Sequence, residues 1–283
     1  MSHLILGLDP AVGSFPKVYL DNSTINVESW GRDILAICKG KVVGVKFQSA
    51  YFENLGLKGL HALSNLIKYS KELGLTTIMD AKRGDIGSTS KAYAEAYLSD
   101  SATLGSNDFT CDYLTVNPLM GEDCLDPFID VALNNQKGVF ILLETSNPGA
   151  SMILKQSINE TKKINDKIAD YIDLKTAALT LSEGALGPIG CVIGATNIDV
   201  GHWRKKLPNS IFLMPGIGAQ GGGWESVSAC LNSNGEGVWV PISRGITQVS
   251  GNIKSKDEYL KKVEENLMRH VNAMASALNR NSI

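Results

Sequence analysis

Four ionisable residues have types and spacing that could do chemistry: Lys46, Asp80, Lys82 and Asp85. The last three fall in the run Met79-Asp80-Ala81-Lys82-Arg83-Gly84-Asp85-Ile86. Asp80 and Lys82 are two residues apart, so an extended strand projects them to the same side. Asp85 follows on the turn out of that strand. Carboxylates that flank a lysine favour its charged form. A protonated lysine held in a pocket is a proton donor and a counter-ion for a developing carbanion. Lys46 completes a formally neutral Lys–Asp–Lys–Asp set. A rim salt-bridge network without chemistry explains these four residues equally well, because structural ion pairs also perturb pKa values.

A second cluster is Pro215-Gly216-Ile217-Gly218-Ala219-Gln220-Gly221-Gly222-Gly223, with five glycines in nine residues. Such a loop lets the backbone approach a ligand closely and can present free N–H groups to a phosphate. Ser243-Arg244-Gly245-Ile246 lies a little further on, and an arginine there can fork onto phosphate oxygens. Loop and arginine together favour a phosphate site over a surface ion pair. A third cluster, Thr145-Ser146-Asn147-Pro148-Gly149, offers hydroxyls and an amide suited to a ring with both donors and acceptors, such as a pyrimidine imide. An ordinary capped turn would use the same residues. Asn117-Pro118 reads as a turn or as site lining. The four histidines, His3, His61, His202 and His270, share no metal-ligand spacing. Neither a Ser-His-Asp arrangement nor a Walker loop is present.

The elements that must position these residues are short apolar runs, several of them ending in Pro, Asp or Asn. They are His3–Asp9, Val42–Gln48, Thr76–Asp80, Tyr113–Asn117, Gly138–Thr145, Gly190–Ala195, Ile211–Pro215 and Gly237–Ser243. Nearly continuous Val, Ile, Leu and Phe in such runs is how parallel strands buried on both faces read. Helical spacing lies between them, as in Leu57, Leu60, Leu63, Leu66 and Ile67, in Tyr93, Ala96 and Tyr97, and in Leu260, Val263, Leu267 and Val271. Strand–helix alternation repeated eight times predicts an α/β fold, a closed TIM (β/α)₈ barrel with extra helices. In that fold the polar residues named above sit at the C-terminal ends of the strands, where TIM-barrel sites lie, and the glycine loop and Arg244 follow strands 7 and 8, a common phosphate position. The stretch Ala150–Gly187, with charged runs Lys155–Asp166 and Lys167–Lys175, is expected to form a solvated helix pair outside the barrel. No linker or low-complexity segment divides the chain, so residues 1–283 are expected to form a single domain.

Composition narrows the function. The chain is 43% hydrophobic and 20% charged with a net charge of −2, so it lacks the basic field that nucleic-acid or anionic-membrane binding requires. Five cysteines with no C-x-x-C pair point away from a disulfide framework or zinc site and toward a reducing cytoplasm. The apolar stretch in MSHLILGLDP is too short for a signal peptide or a membrane span and reads as a first strand.

Taken together, the motifs resemble the orotidine 5′-phosphate decarboxylase family, in its longer branch, over almost the whole chain. The resemblance rests on Gly7-Leu8-Asp9, Val45-Lys46, Asp80-x-Lys82-x-x-Asp85-Ile86-x-x-Thr89, Thr145-Ser146-Asn147-Pro148-Gly149, Pro215-Gly216-Ile217-Gly218-Ala219-Gln220-Gly221-Gly222 and Ser243-Arg244-Gly245-Ile246. It implies decarboxylation of orotidine 5′-phosphate to uridine 5′-phosphate (UMP), the last step of de novo pyrimidine synthesis, without cofactor or metal. Lys82 would protonate C6 as carbon dioxide leaves, and Asp80 would sit beside the departing carboxylate. Asp85, Ile86 and Thr89 would reach into the neighbouring subunit's site of a homodimer. Lys46 and Asp9 would hold ribose hydroxyls, with Asn117 a further candidate there. Ser146 and Thr145 would recognise the pyrimidine, and Gln220 and Arg244 the phosphate. The resemblance assigns no role to Glu144. Metal-dependent relatives carry a magnesium-binding carboxylate at the end of strand 2, where this chain has Lys46. The intact Asp80–Lys82–Asp85 set argues against a barrel that binds a phosphate ligand without turning it over.

Overall fold

The computed structural model describes residues 3–21, 24–100, 108–179, 182, 184–196, 200–218 and 221–279. In chain order the first elements are β1 (Leu4–Leu8), β2 (Leu20–Asp21), β3 (Thr24–Ile25), α1 (Val27–Cys38), β4 (Gly44–Gln48), α2 (Ser49–Glu53) and α3 (Gly56–Glu72). The middle holds β5 (Thr76–Arg83), α4 (Gly87–Leu98), β6 (Tyr113–Val116), α5 (Glu122–Asn134), β7 (Gly138–Glu144) and α6 (Ile164–Ala177). The last are β8 (Ile189–Ile193), α7 (Val200–Lys206), β9 (Phe212–Leu213), α8 (Trp224–Ser228), β10 (Val238–Ile242), α9 (Arg244–Thr247) and α10 (Lys256–Asn279).

Among the described residues, eight strands close in the order β1-β10-β9-β8-β7-β6-β5-β4, a TIM barrel. Each of the eight runs read from the sequence contributes one of them. The registers β1–β4, β4–β5, β6–β7, β7–β8, β8–β9 and β9–β10 are all parallel. β2 and β3 form a small antiparallel hairpin apart from the barrel. The chain divides into two compact units: Lys82–Val240, and the residues up to Ala81 together with Pro241 onward.

In the unit that joins both ends of the chain, β1 is buried throughout. A Cβ on Gly44 would lie 2.1 Å from the Thr76 carbonyl oxygen, so only glycine lets β4 lie this close to β5. α1 starts with the Asn26 side chain accepting from the Ser29 N–H at 3.0 Å, a helix cap. It buries Trp30, Ile34, Leu35 and Cys38. α3 buries Leu63, Leu66 and Ile67 as its spacing predicts, but Leu57 is left 76% exposed in its first turn. α10 buries Tyr259, Val263, Leu267 and Met274.

The other unit packs Tyr113, Phe140 and Trp239 against one another with ring centroids 5.0 to 5.8 Å apart. Arg204 is buried there, and no carboxylate among the described residues pairs with it. Its guanidinium donates to the carbonyls of Cys230, Leu207, Pro208, Ser210 and Gly237, and its face lies 3.9 Å from the centroid of the Phe212 ring. The stretch after β7 departs from the expected helix pair: among the described residues a short 3-10 helix at Pro148–Met152 precedes α6, and α6 is the one α-helix. Residues ahead of it make a bridge between Ser157 and Lys163, around a turn in which Asn159 Oδ1 accepts from the Thr161 and Lys162 N–H groups. An asparagine that satisfies backbone donors locally competes with helix. α6 then begins where Asp166 accepts from the Lys163 N–H at 2.9 Å. All five cysteines are free and buried, and among the described residues no helix is long and apolar enough to cross a membrane.

Candidate active site

Lys46 occupies the middle of β4, in register with Gly7 of β1 and Ile78 of β5. Its Nζ donates to Asp80 Oδ2 at 2.9 Å and lies 3.9 Å from Asp9 Oδ1. Gln48 Nε2 donates to the same Asp80 oxygen at 3.0 Å. The Lys46 and Asp80 side chains are only 8% and 10% exposed. Burial alone would depress the Lys46 pKa, but the Asp80 and Asp9 charges outweigh it and hold the ammonium above its ordinary value. Two carboxylates thus fix one cation at the ends of adjacent strands. Asp9 Oδ1 is buried and accepts no hydrogen bond from any described residue. A buried carboxylate oxygen left in that state costs free energy until a donor reaches it, and a ligand hydroxyl would supply one.

Lys82 follows two residues after Asp80 on β5 but has φ +46°, in the left-handed region. Strand alternation therefore does not set its side-chain direction, contrary to the expectation from its spacing. A positive φ is uncommon outside glycine. Here the Lys82 N–H donates to the buried Thr115 Oγ1 at 2.9 Å, which holds the backbone in that conformation. The neighbouring Arg83 turns to α4, where its Nη2 donates to Tyr97 Oη at 3.1 Å and its guanidinium lies over the Tyr93 ring. Lys82 is left exposed. Asp85 Oδ1 accepts from the Ile86 N–H at 2.8 Å. Ile86 is 63% exposed and Thr89 is exposed in the first turn of α4.

At the end of β7, Thr145 Oγ1 donates to Asn147 Oδ1 at 2.7 Å. Ser146 packs against Gly194, where a Cβ would lie 2.7 Å from the serine Cβ. Glu144, just ahead, is engaged from two sides. Trp203 Nε1 donates to its Oε2 at 2.5 Å, and Lys155 Nζ lies 3.3 Å from its Oε1. Asn117 Oδ1 accepts from the Leu119 N–H at 3.0 Å, the turn that the Asn-Pro pair suggested. Gln220 lies outside the described residues. Around it Gly216, Gly218 and Gly221 all take positive φ. Among the described residues the Gly218 N–H donates to the Gly222 carbonyl, the Gly222 N–H to the Gly216 carbonyl and the Gly221 N–H to the Gly218 carbonyl. Arg244 is the exposed first residue of α9 and makes no ion pair with a described residue. Its neighbour Ser243 presses on Gly7, where a Cβ would sit 1.9 Å from the serine Oγ.

Lys46, Asp80 and Asp9 are therefore brought together as a charged set. Gln48 and the Trp203–Glu144–Lys155 contact were not anticipated. Gln48 was findable, since it sits two residues after Lys46 on the same strand. Trp203 carried no sequence signal, because its partner is far away in the chain. Among the described residues no three His, Cys, Asp or Glu side chains are grouped to hold a metal ion.

Comparison with known proteins agrees over nearly the full length. The family profile described as "Orotidine 5′-phosphate decarboxylase / HUMPS family" matches residues 2–255. The orotidine 5′-phosphate decarboxylase of Rhodopirellula baltica is 38% identical over 250 residues, covering 85% of this chain and 82% of that protein. That of Caldicellulosiruptor bescii is 32% identical over 293 residues, covering 97% and 95%. The crystal structure of a putative orotidine 5′-phosphate decarboxylase from Streptomyces avermitilis superposes with a TM-score of 0.82 at 28% identity, covering 98% of this chain and 92% of that one. The barrel fold and these relatives place the chain among the carboxy-lyases. More particularly, the chain belongs to the orotidine 5′-phosphate decarboxylase / HUMPS family. Its reaction is the conversion of orotidine 5′-phosphate to UMP and carbon dioxide, which completes UMP synthesis.

Proposed function

We propose that this decarboxylation runs by direct electrostatic stabilisation of a carbanion at C6, with Lys82 as proton donor. The C6–carboxylate bond breaks, its electron pair stays on C6, and carbon dioxide leaves. A proton from the Lys82 ammonium then bonds to C6, and the amine regains a proton from solvent. The carbanion has no adjacent carbonyl to delocalise it, so a fixed positive charge must lower the barrier. For such unassisted chemistry the reduction approaches about 23 kcal/mol.

The observation that carries this reading is the buried Lys46–Asp80 pair with the unbonded Asp9 Oδ1 beside it. It is a preorganised set of charges with an acceptor to spare. Asp80 is assigned to the departing carboxylate, and Lys46 and Asp9 to ribose hydroxyls, with Asn117 a further contributor in that role. Asp85 is assigned to lend its charge to the site of a second subunit rather than to its own. Thr145 and Ser146 are assigned to the pyrimidine, and Gln220 and Arg244 to the phosphate. The exposure of Ile86 and Thr89 supports their contributing, with Asp85, to the site of a second subunit in a homodimer. The single-domain reading of residues 1–283 is supported by the family profile, which matches residues 2–255 as one stretch. Free, buried cysteines support a reducing, cytoplasmic setting.

The test is the loss of ultraviolet absorbance of orotidine 5′-phosphate in the presence of EDTA. Turnover that EDTA leaves unchanged is expected. No turnover at micromolar enzyme, or turnover that only magnesium restores, would contradict the proposal. For the shared site, specific activity should fall on dilution below the dimer dissociation constant; a fully active monomer would refute it.

A further inference from the structure

α9 has four residues, too few for a helix to hold itself together. Its last carbonyls have no partner within the helix. The structure shows what takes their place. Tyr259 Oη on α10 donates to the Thr247 carbonyl at 2.7 Å. Asn266, two turns further along α10, donates through Nδ2 to the Ile246 carbonyl at 3.2 Å and the Gln248 carbonyl at 3.3 Å. Three successive carbonyls at the end of α9 are thus held by two side chains of one long helix. Tyr259 is itself anchored, because it is 2% exposed and its hydroxyl accepts from Trp30 Nε1 at 3.0 Å. α10 also closes on the start of α9, where a Cβ on Gly245 would lie 2.7 Å from His270 Nε2. Arg244 meanwhile makes no ion pair with a described residue that could fix it from the outside.

We propose that Tyr259 and Asn266 are positioning residues for phosphate recognition, holding α9 so that Arg244 is presented to the substrate phosphate. The proposal rests on the assignment of Arg244 to phosphate. Neither residue touches substrate. Both act through the backbone of α9, so their loss loosens the arginine without removing it. Such a defect is confined to the part of binding that the phosphate supplies. A general loss of fold would instead lower every activity together.

The experiment compares Tyr259→Phe, Asn266→Ala and Arg244→Ala with the natural enzyme on orotidine 5′-phosphate and on orotidine, which lacks the phosphate. The quantity read is the ratio of kcat/KM for the two substrates. Arg244→Ala should lower it most, by about 10- to 100-fold. Tyr259→Phe and Asn266→Ala should each lower it about 3- to 10-fold, chiefly through KM for the phosphorylated substrate, while orotidine turnover stays near that of the natural enzyme. If Arg244→Ala lowers the ratio and neither α10 variant does, the positioning role is overturned and the Arg244 assignment stands. If Arg244→Ala leaves the ratio unchanged, the phosphate assignment fails and the positioning role with it. Equal losses on both substrates in the α10 variants would show a structural role only and would also overturn the proposal.

Discussion

Lys46 and Arg244 are both cations of the same compact unit, and they are held in opposite ways. Lys46 sits within a strand that has partners on both sides, is almost fully buried, and is clamped between Asp80 and Asp9. Arg244 is exposed on a four-residue helix and makes no ion pair with a described residue. The difference follows from what each charge must do. A cation that belongs to a preorganised set of charges has to be fixed before the substrate arrives. A cation that recognises an incoming phosphate has to be left without a competing carboxylate, so its placement depends on backbone held elsewhere.

The contrast predicts a hierarchy of effects. Lys46→Ala strands two carboxylates in a buried place, so it should cost about 3–5 kcal/mol of folding stability by denaturant titration. Turnover should fall with it. Replacing both partners, as in Lys46→Met with Asp80→Leu, should recover most of that stability while leaving the enzyme inactive. Arg244→Ala should change stability by no more than about 0.5 kcal/mol, as an exposed substitution does. Its effect should appear as a KM raised about 10- to 100-fold, from the loss of charge-assisted hydrogen bonds. If Arg244→Ala destabilised the fold as much as Lys46→Ala, the comparison would be wrong.

A smaller effect is expected at Glu144. Trp203→Phe removes its buried donor and should cost about 1–3 kcal/mol. Lys155→Ala removes a half-exposed ion pair and should cost no more than about 1 kcal/mol. The order of the two in thermal melts tests whether the indole, rather than the lysine, secures the end of β7. The smallest expected effect is at His270, whose pKa is pushed below its ordinary value by burial, against an opposing backbone hydrogen bond with Gly245. A depressed folded pKa means this contribution is fully present above about pH 6.5 and is lost as pH falls through the folded value. The natural enzyme should therefore lose more thermal stability between pH 7.5 and 5.5 than His270→Gln. Equal losses would show that His270 is not coupled to folding.

Much of this arrangement was legible in the sequence because it is local. Eight apolar runs mark eight barrel strands, since a strand buried on both faces has to be apolar along its length. Asp9, Lys46 and Asp80 were identifiable because each ends or nearly ends such a run. What was not legible depends on backbone detail or on distant partners. The left-handed conformation of Lys82 comes from Thr115 on the next strand. The absence of a second described α-helix before α6 goes with one asparagine that satisfies two backbone donors in a turn. The hairpin of β2 and β3 has strands of two residues each, too short for any periodicity to show. The support of α9 by Tyr259 and Asn266 likewise joins residues whose spacing carries no pattern.

The most direct test of the account concerns Lys82. Lys82→Ala should lower turnover of orotidine 5′-phosphate by at least about 10⁴-fold, since it removes both proton donor and counter-charge. Its affinity for UMP, measured by calorimetry, should stay within a few-fold of the natural enzyme. Turnover that survives the substitution would contradict the central claim.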